Sequence, residues 1–313
     1  MSKEKLLAVV GPTAVGKTAL AVRIAQKFGG EIISGDSMLV YRGFNIGAAK
    51  PTLIEQGGIP HHLIDILAPA VPYSAADFQR EAGRIITTLN EKRILPIVAG
   101  GTCLYVKALL EGYRFGNAVE DPAYRRELNA MAALQGKEKV YALLTEKAPE
   151  VARAIHPHNL RRVIRALETI KQGERGVSRQ KETDGELCCY DVYVVGLCLE
   201  RATLYRRIEQ RVEAMLKAGL IDEVQGLMEA GVSREAPAMQ GIGYKETAAY
   251  LAGEITRDEL SENIKKNTRH FAKRQLTWYR RMPYIHWYDM EDGAERIWPS
   301  LMAEIARREF TWW

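Results

Sequence analysis

The stretch Gly11-Pro12-Thr13-Ala14-Val15-Gly16-Lys17-Thr18 restricts the possible folds of this chain more than any other. It follows an apolar run at 6–10 that fits a buried strand, and it precedes 19–25, which has the composition of a helix. In a strand–G-x-x-x-x-G-K-[ST]–helix unit the glycines let the backbone curl until successive N–H groups face one anion. The lysine adds a point charge, the threonine hydroxyl suits Mg²⁺, and the helix N-terminus contributes unpaired N–H groups and its dipole. Gly11, Pro12, Thr13, Ala14, Val15, Gly16, Lys17 and Thr18 are therefore the expected phosphate- or diphosphate-binding residues. Such a P-loop reads the anion and not the group attached to it.

The chain has 313 residues, 47% of them apolar and 27% charged, as an ordinary globular protein does. A formal charge of +5 is too small to establish a nucleic-acid partner, so the distribution of charge matters more than its sum. The apolar run near the N-terminus enters the P-loop rather than a cleavage site, and no run reaches the length of a membrane span. Cys103, Cys188, Cys189 and Cys198 lack C-x-x-C spacing. Neither a zinc site nor a disulfide framework is implied, and a cytoplasmic location without membrane attachment is expected.

Along the chain, 31–34 forms a second short apolar run ending in Gly35-Asp36-Ser37. An acid at the end of a strand beside a P-loop strand lies where such sheets hold ligands. Asp36 is thus a candidate Mg²⁺ ligand, general base or helix N-cap. Residues 41–52 are glycine-rich and polar, with Arg42 and Lys50 suited to an anionic partner. The pair His61-His62 opens a further expected strand; adjacent side chains on a strand point to opposite faces, which favours a structural role over a shared metal. Residues 73–90 have the spacing of an amphipathic helix capped by Ser74, with Phe78, Ile85 and Leu89 on one face. Then 94–99 reads as a strand ending in Gly100-Gly101-Thr102 and opening a helix at 104–110. Strands alternating with helices argue for a parallel α/β core.

From Gly112 the pattern turns helical, at 121–135, 137–147 and 158–172. This block is expected to be an insert closing over the site; it carries Arg153, Arg161, Arg162 and Arg165, and 171–186 is a polar return. A strand at 191–199 rejoins the core and leads into a helix where Arg207 and Arg211, four apart, share a face. Residues 240–246 form a glycine loop opening another helix. In the long helix at 258–281, Ile264, Phe271 and Trp278 recur every seven residues and are expected to face a core. Lys266, His270, Lys273 and Arg281 mark another side, with Lys265, Arg269, Arg274 and Arg280 beside them. Almost no acids fall between Glu262 and Asp289, so phosphate-backbone contact is favoured over a merely solvated, salt-bridged face. A final strand is expected at 284–288.

The motifs GPTAVGKT, GDSMLVYRGFNIGAAKPT, HHLIDI, IVAGGTCLY, HPHNLRRVIRALE, QGIGYKE and TRHFAKRQLTWYRR, in that order, make the chain resemble the tRNA dimethylallyltransferase (tRNA isopentenyltransferase) family over almost its whole length. The zinc-finger extension of eukaryotic members is lacking, so the resemblance is to the bacterial type. It implies an α/β fold, a P-loop parallel sheet flanked by helices, with an inserted all-helical domain: 1–112 and 187–313 as core, 113–186 as an insert contacting tRNA. It further implies a monomer that moves a dimethylallyl group from dimethylallyl diphosphate to N6 of adenosine 37 in the anticodon loop of tRNAs reading UNN codons. The P-loop would then hold a prenyl diphosphate, where an automatic reading of the motif names ATP.

Carried over residue by residue, Asp36 matches the general base and Thr18 the Mg²⁺-associated hydroxyl, with Lys17 beside them. One of Arg207 and Arg211 matches the diphosphate clamp, and the sequence does not choose between them. Asp36, Ser37, Met38, Leu39 and Thr102, with Asn159, Leu160, Arg161, Arg162 and Val163, fall where the family meets tRNA; Lys266 and Lys273 come from the basic helix. Two departures stand out: Cys103 replaces an expected glycine, and Leu39 an expected glutamine. A small-molecule kinase would use the same loop on ATP but gives the basic helix no purpose. A GTPase switch would need an N-K-x-D sequence, which is missing.

Overall fold

The computed structural model describes residues 3–116, 120–173 and 190–308. Of the polar return, 174–186 lie outside the described residues, as do Cys188 and Cys189. The chain divides into two compact units, one of Met1–Gly112 with Gly185–Trp313, the other of Tyr113–Asp184.

The first unit opens with β1 (Glu4–Val10), α1 (Lys17–Phe28), β2 (Gly30–Ser34), α2 (Leu53–Gln56), β3 (His61–His62), α3 (Ala75–Glu91), β4 (Leu95–Ala99) and α4 (Cys103–Leu110). The second unit holds α5 (Pro122–Gln135), α6 (Lys137–Lys147), α7 (Pro149–Arg153) and α8 (Leu160–Lys171). The first resumes with β5 (Tyr190–Cys198), α9 (Arg201–Lys217), α10 (Leu220–Glu229), α11 (Tyr244–Leu251), α12 (Arg257–Tyr279), β6 (Ile285–Asp289) and α13 (Ala294–Arg307).

All strand pairs are parallel, in the order β3-β2-β4-β1-β5-β6 of a six-stranded sheet. Leu6, Leu7, Ala8, Val9 and Val10 are entirely buried, because helices cover both faces of a parallel sheet. From β1 the chain moves two places to one side for β2, returns between them for β4, then crosses to β5 on the other side. The carboxyl ends of β1 and β4 therefore border the switch point where open α/β sheets bind ligands.

Sequence periodicity placed most elements but not α2, α7, α10 or α13, and three local differences stand out among the rest. The strand at His61 is only two residues long, because Leu63 and Asp65 adopt positive φ (61° and 56°) and turn the chain away. On α3 the buried residue is Ile86, with Ile85 half-exposed. Trp278 is 38% exposed rather than in the core. Fourteen residues of a straight helix fall about 40° short of whole turns, so a seven-residue repeat drifts off the buried line. That line instead runs Leu260, Ile264, Ala272, Gln275 and Tyr279.

The glycine-rich loop after β2 is fixed by packing and by one carboxylate. Val40, Tyr41 and Phe44 are buried with Val212, Val224, Tyr244 and Ile264. Glu223 of α10 accepts the N–H groups of Asn45 (3.1 Å), Ile46 (2.8 Å) and Gly47 (3.3 Å), and the Tyr244 hydroxyl donates to it at 2.8 Å. Lys50 is paired with Asp65, so it serves this loop's own structure.

In the helical unit Leu128, Val140, Leu144, Val163 and Leu167 form the core. Buried Glu168 accepts Arg125 at 2.9 Å and Arg165 at 2.6 Å. No helix among the described residues is long and apolar enough to cross a membrane.

Candidate active site

The loop between β1 and α1 curls through Ala14 and Gly16, both left-handed (φ 64° and 102°). Helix α1 starts with no side-chain cap and no acid in its first turn, leaving its N–H groups open to an anion. Lys17 Nζ donates to the Pro12 carbonyl at 2.7 Å. Burial pulls the Lys17 ammonium down from 10.5 to about 8; nearby Asp36 opposes that fall and Arg211 adds to it. Thr18 is exposed at the helix start, and its hydroxyl makes no hydrogen bond within the described residues.

Asp36 follows β2 at the same edge. Its Oδ1 accepts the Met38 N–H at 2.8 Å, while Oδ2 has no protein partner among the described residues. Ser37 N–H donates to Thr102 Oγ1 at 3.0 Å, and Thr102 Oγ1 lies 3.2 Å from Ser37 Oγ. The two strand ends thus share one polar seam. Met38 and Leu39 are half-buried beside it, and the Leu39 carbonyl accepts the Asp65 N–H at 3.0 Å.

The structure separates the two arginines that spacing alone leaves equivalent. Burial lowers the pKa of Arg211, and Asp36 and then Glu55 offset part of that. Arg211 has no hydrogen bond or ion pair among the described residues. A half-buried guanidinium without a protein partner is open to an anion. Arg207, one turn earlier, does not share the electrostatic cluster of Lys17, Asp36 and Arg211.

Sequence reasoning missed Gln275. It is 2% exposed, accepts the Thr13 N–H at 2.8 Å and donates to the Gly101 carbonyl at 2.8 Å. Its place on the helix that carries the basic strip concealed it, since a glutamine among cations reads as one more surface polar. Cys103 fills the space next to it, its thiol raised to about 11 by burial. There the sulfur lies 3.6 Å from the Gly101 carbonyl.

On α12 the cations divide. Lys265 pairs with Glu213 and Arg269 with Glu209 on α9, each at 2.7 Å, so those two are laced across helices, contrary to the expectation from the helix alone. Lys266, His270, Lys273, Arg280 and Arg281 are exposed and make no hydrogen bond or ion pair within the described residues. In the helical unit Asn159 caps α8 by accepting the Arg162 N–H at 3.3 Å. Arg161 and Arg162 are exposed and Leu160 half-buried. Val163, at 0% exposure, is a core residue whose side chain cannot reach a partner. The histidine pair is structural: His61 Nδ1 meets the Ile59 carbonyl at 2.8 Å and His62 Nε2 meets Glu31 at 2.6 Å.

A parallel sheet with a glycine loop at its switch point, two half-buried cations and one half-free carboxylate defines an α/β protein with a candidate ligand site at the carboxyl edge of its sheet. Residues 39–282 match the family model described as IPP transferase, and 4–63 match that of isopentenyl transferase. The chain belongs to the IPP transferase family. A tRNA dimethylallyltransferase of Geobacillus kaustophilus is 46% identical over 304 residues, covering 97% of this chain and 96% of the relative. The crystal structure of the full-length tRNA isopentenylpyrophosphate transferase from Bacillus halodurans superposes with a TM-score of 0.74 at 44% identity, covering 98% of this chain and 97% of that one. A eukaryotic dimethylallyltransferase, crystallised in snapshots acting on tRNA, gives 0.79 at 28% identity, over 98% of this chain and 79% of its own.

Proposed function

We propose that this protein transfers the dimethylallyl group of dimethylallyl diphosphate to N6 of adenosine 37 in tRNAs that read codons beginning with U, releasing diphosphate. It does so in the cytoplasm, as a monomer. The observation that carries the reading is the gathering of Lys17, Arg211 and Asp36 beside a glycine loop whose helix starts uncapped and without an acid in its first turn. Neither cation has an ion-pair partner among the described residues, and a diphosphate neutralises both.

The chemistry follows from these groups. The allylic C1–O bond breaks with its electron pair going to diphosphate, whose growing charge is stabilised by the α1 N–H groups, Lys17 and Arg211. N6 forms the new bond to C1, becomes cationic and hence strongly acidic. A carboxylate then suffices to take the proton, and Asp36 Oδ2 has the free lone pair. Met38 holds the other oxygen, which fixes the direction in which Oδ2 points.

Mg²⁺ fits the same place. The Thr18 hydroxyl is a hard oxygen without a protein partner, and Mg²⁺ takes few protein ligands beside substrate phosphates and water. Among the described residues no group of three or more His, Cys, Asp or Glu is placed to hold a metal ion, so the donor's phosphates would supply most of its ligands. When bound, it neutralises charge on the leaving diphosphate.

For the tRNA, Lys266, His270, Lys273 and Arg281 offer phosphate contacts, with Arg161 and Arg162 doing so from the helical unit. Ser37, Met38, Leu39 and Thr102 surround the base near Asp36. The test is incubation with undermodified tRNA and labelled dimethylallyl diphosphate, with labelled ATP in parallel. Label entering tRNA from the prenyl donor alone is expected. Phosphoryl transfer from ATP with no prenylation would overturn the assignment.

A further inference from the structure

We propose that Gln275 is a positioning residue that couples RNA contact on the outer face of α12 to the shape of the diphosphate loop. The proposal rests on the function inferred above and assigns to one side chain the link between its two substrates.

The helix carries both ends of the link. At 100° per residue, Lys266 and Gln275, nine positions apart (275 − 266), lie half a turn out of phase. Lys266, His270 and Lys273 therefore face solvent while Gln275 faces the loops. On the inner side its amide is held in one orientation: Oε1 accepts from Thr13 N–H and Nε2 donates to Gly101 C=O, each at 2.8 Å. Turning the amide over would set donor against donor and acceptor against acceptor. The fit is tight as well. A Cβ at Gly101 would stand 2.4 Å from Gln275 Nε2 and 3.7 Å from Lys17 Nζ, so this amide sits next to the phosphate-binding ammonium. One turn on, buried Tyr279 donates to the Gly100 carbonyl at 3.3 Å.

The consequence is geometric. Thr13 belongs to the diphosphate loop, yet its N–H is anchored by α12 rather than by the strand or helix that flank the loop. Hydrogen bonds weaken steeply with misalignment, so a displacement of α12 under RNA phosphates acts directly on Thr13, and on Lys17 through Pro12. Linkage makes this reciprocal: a diphosphate that reshapes the loop changes the affinity of α12 for RNA by the same factor. A glutamine that merely filled the core would stabilise the fold and leave the two affinities independent.

The experiment measures the dissociation constant of dimethylallyl thiolodiphosphate, a non-transferring donor analogue, with Mg²⁺, in the absence and presence of saturating unmodified anticodon stem-loop. In the wild type the stem-loop is expected to change that constant by roughly fivefold or more, at the lower end of ordinary couplings. In Gln275→Met, which fills the same space without either bond, the change should fall within twofold. Gln275→Leu, which also lacks both bonds, should lose the coupling as well, and it serves if the Met variant does not fold. A wild-type enzyme without the shift, or variants that retain it, would overturn the proposal. Failure of the analogue or the stem-loop to bind the wild type would instead overturn the function itself.

Discussion

Gly35 and Gly100 meet backbone to backbone: a Cβ on Gly100 would stand 2.3 Å from the Gly35 carbonyl oxygen. Around this contact Gly35 N–H donates to Ala99 O at 2.9 Å and Thr102 N–H to Gly35 O at 3.1 Å. The ends of β2 and β4 are thereby joined, which is what brings Asp36 to Thr102. Gly100→Ala should destabilise the protein by about 3 kcal/mol, the upper end for overpacking, since the obstructing atoms are backbone and cannot turn aside. Thermal unfolding measures this, and transfer should fall with it.

Arg211→Ala should raise the donor requirement by about 10- to 100-fold, the loss expected for one charge-assisted contact. Arg207→Ala should change it by less than threefold. Steady-state kinetics in dimethylallyl diphosphate, at saturating tRNA, distinguishes the two; equal effects would remove Arg211 from its place as the clamp.

Lys17 gives a pH signature. Its folded value of about 8 lies below the 10.5 of an unperturbed lysine, so the folded protein disfavours the charged form. Stability is then greatest above pH 10.5, erodes as pH falls toward 8, and bears the full cost below that. Lys17→Met should therefore unfold at a higher temperature than wild type at pH 7, with the gap closing as pH approaches 10, while losing donor binding. Melting curves across pH report it, and a variant less stable at pH 7 would contradict the assignment.

Asp36→Asn should leave the Met38 contact intact, because an amide oxygen also accepts, and should leave both substrates bound. Transfer should fall by roughly 10²–10⁴, as when a positioned base is lost. Single-turnover rates across a Mg²⁺ titration decide the role: recovery at high Mg²⁺ would make Asp36 a metal ligand instead.

Neutralising Lys266 and Lys273 together should reduce the steepness of the log affinity–log salt plot for tRNA by about two, roughly one per phosphate contact. Replacing Lys265 and Arg269, already paired with Glu213 and Glu209, should reduce it much less. Equal changes for both pairs would mean that ion pairing does not select the RNA face.

The positions of the glycine loop and Asp36 were legible because both lie in contiguous motifs, and the alternating strands and helices placed them at one end of a sheet. What could not be read required partners remote in sequence. Arg207 and Arg211 share a helix face and are both half-buried, and only the neighbours of Arg211, Lys17 and Asp36, separate them. The acids that neutralise Lys265 and Arg269 lie on α9, so a census of α12 alone misjudged both. Glu223 grips the loop at 45–47, a pairing that no local pattern signals, and Val163, included with the motif that resembles the family's tRNA contacts, is a core residue. Trp278 was misplaced by a whole-heptad count applied to a straight helix.

Gln275 reaches Thr13 across 262 residues of sequence, and this has a bearing on synthesis. Domains assemble as the chain emerges from the ribosome, so the glycine loop is translated well before the helix that completes it. Until α12 is released, Thr13 and Gly101 lack the amide that joins them. An unfinished chain, or one truncated before this helix, therefore carries the whole phosphate motif without the brace that shapes it. Translation itself delays the competence of the donor site until the surface proposed to meet tRNA has been made.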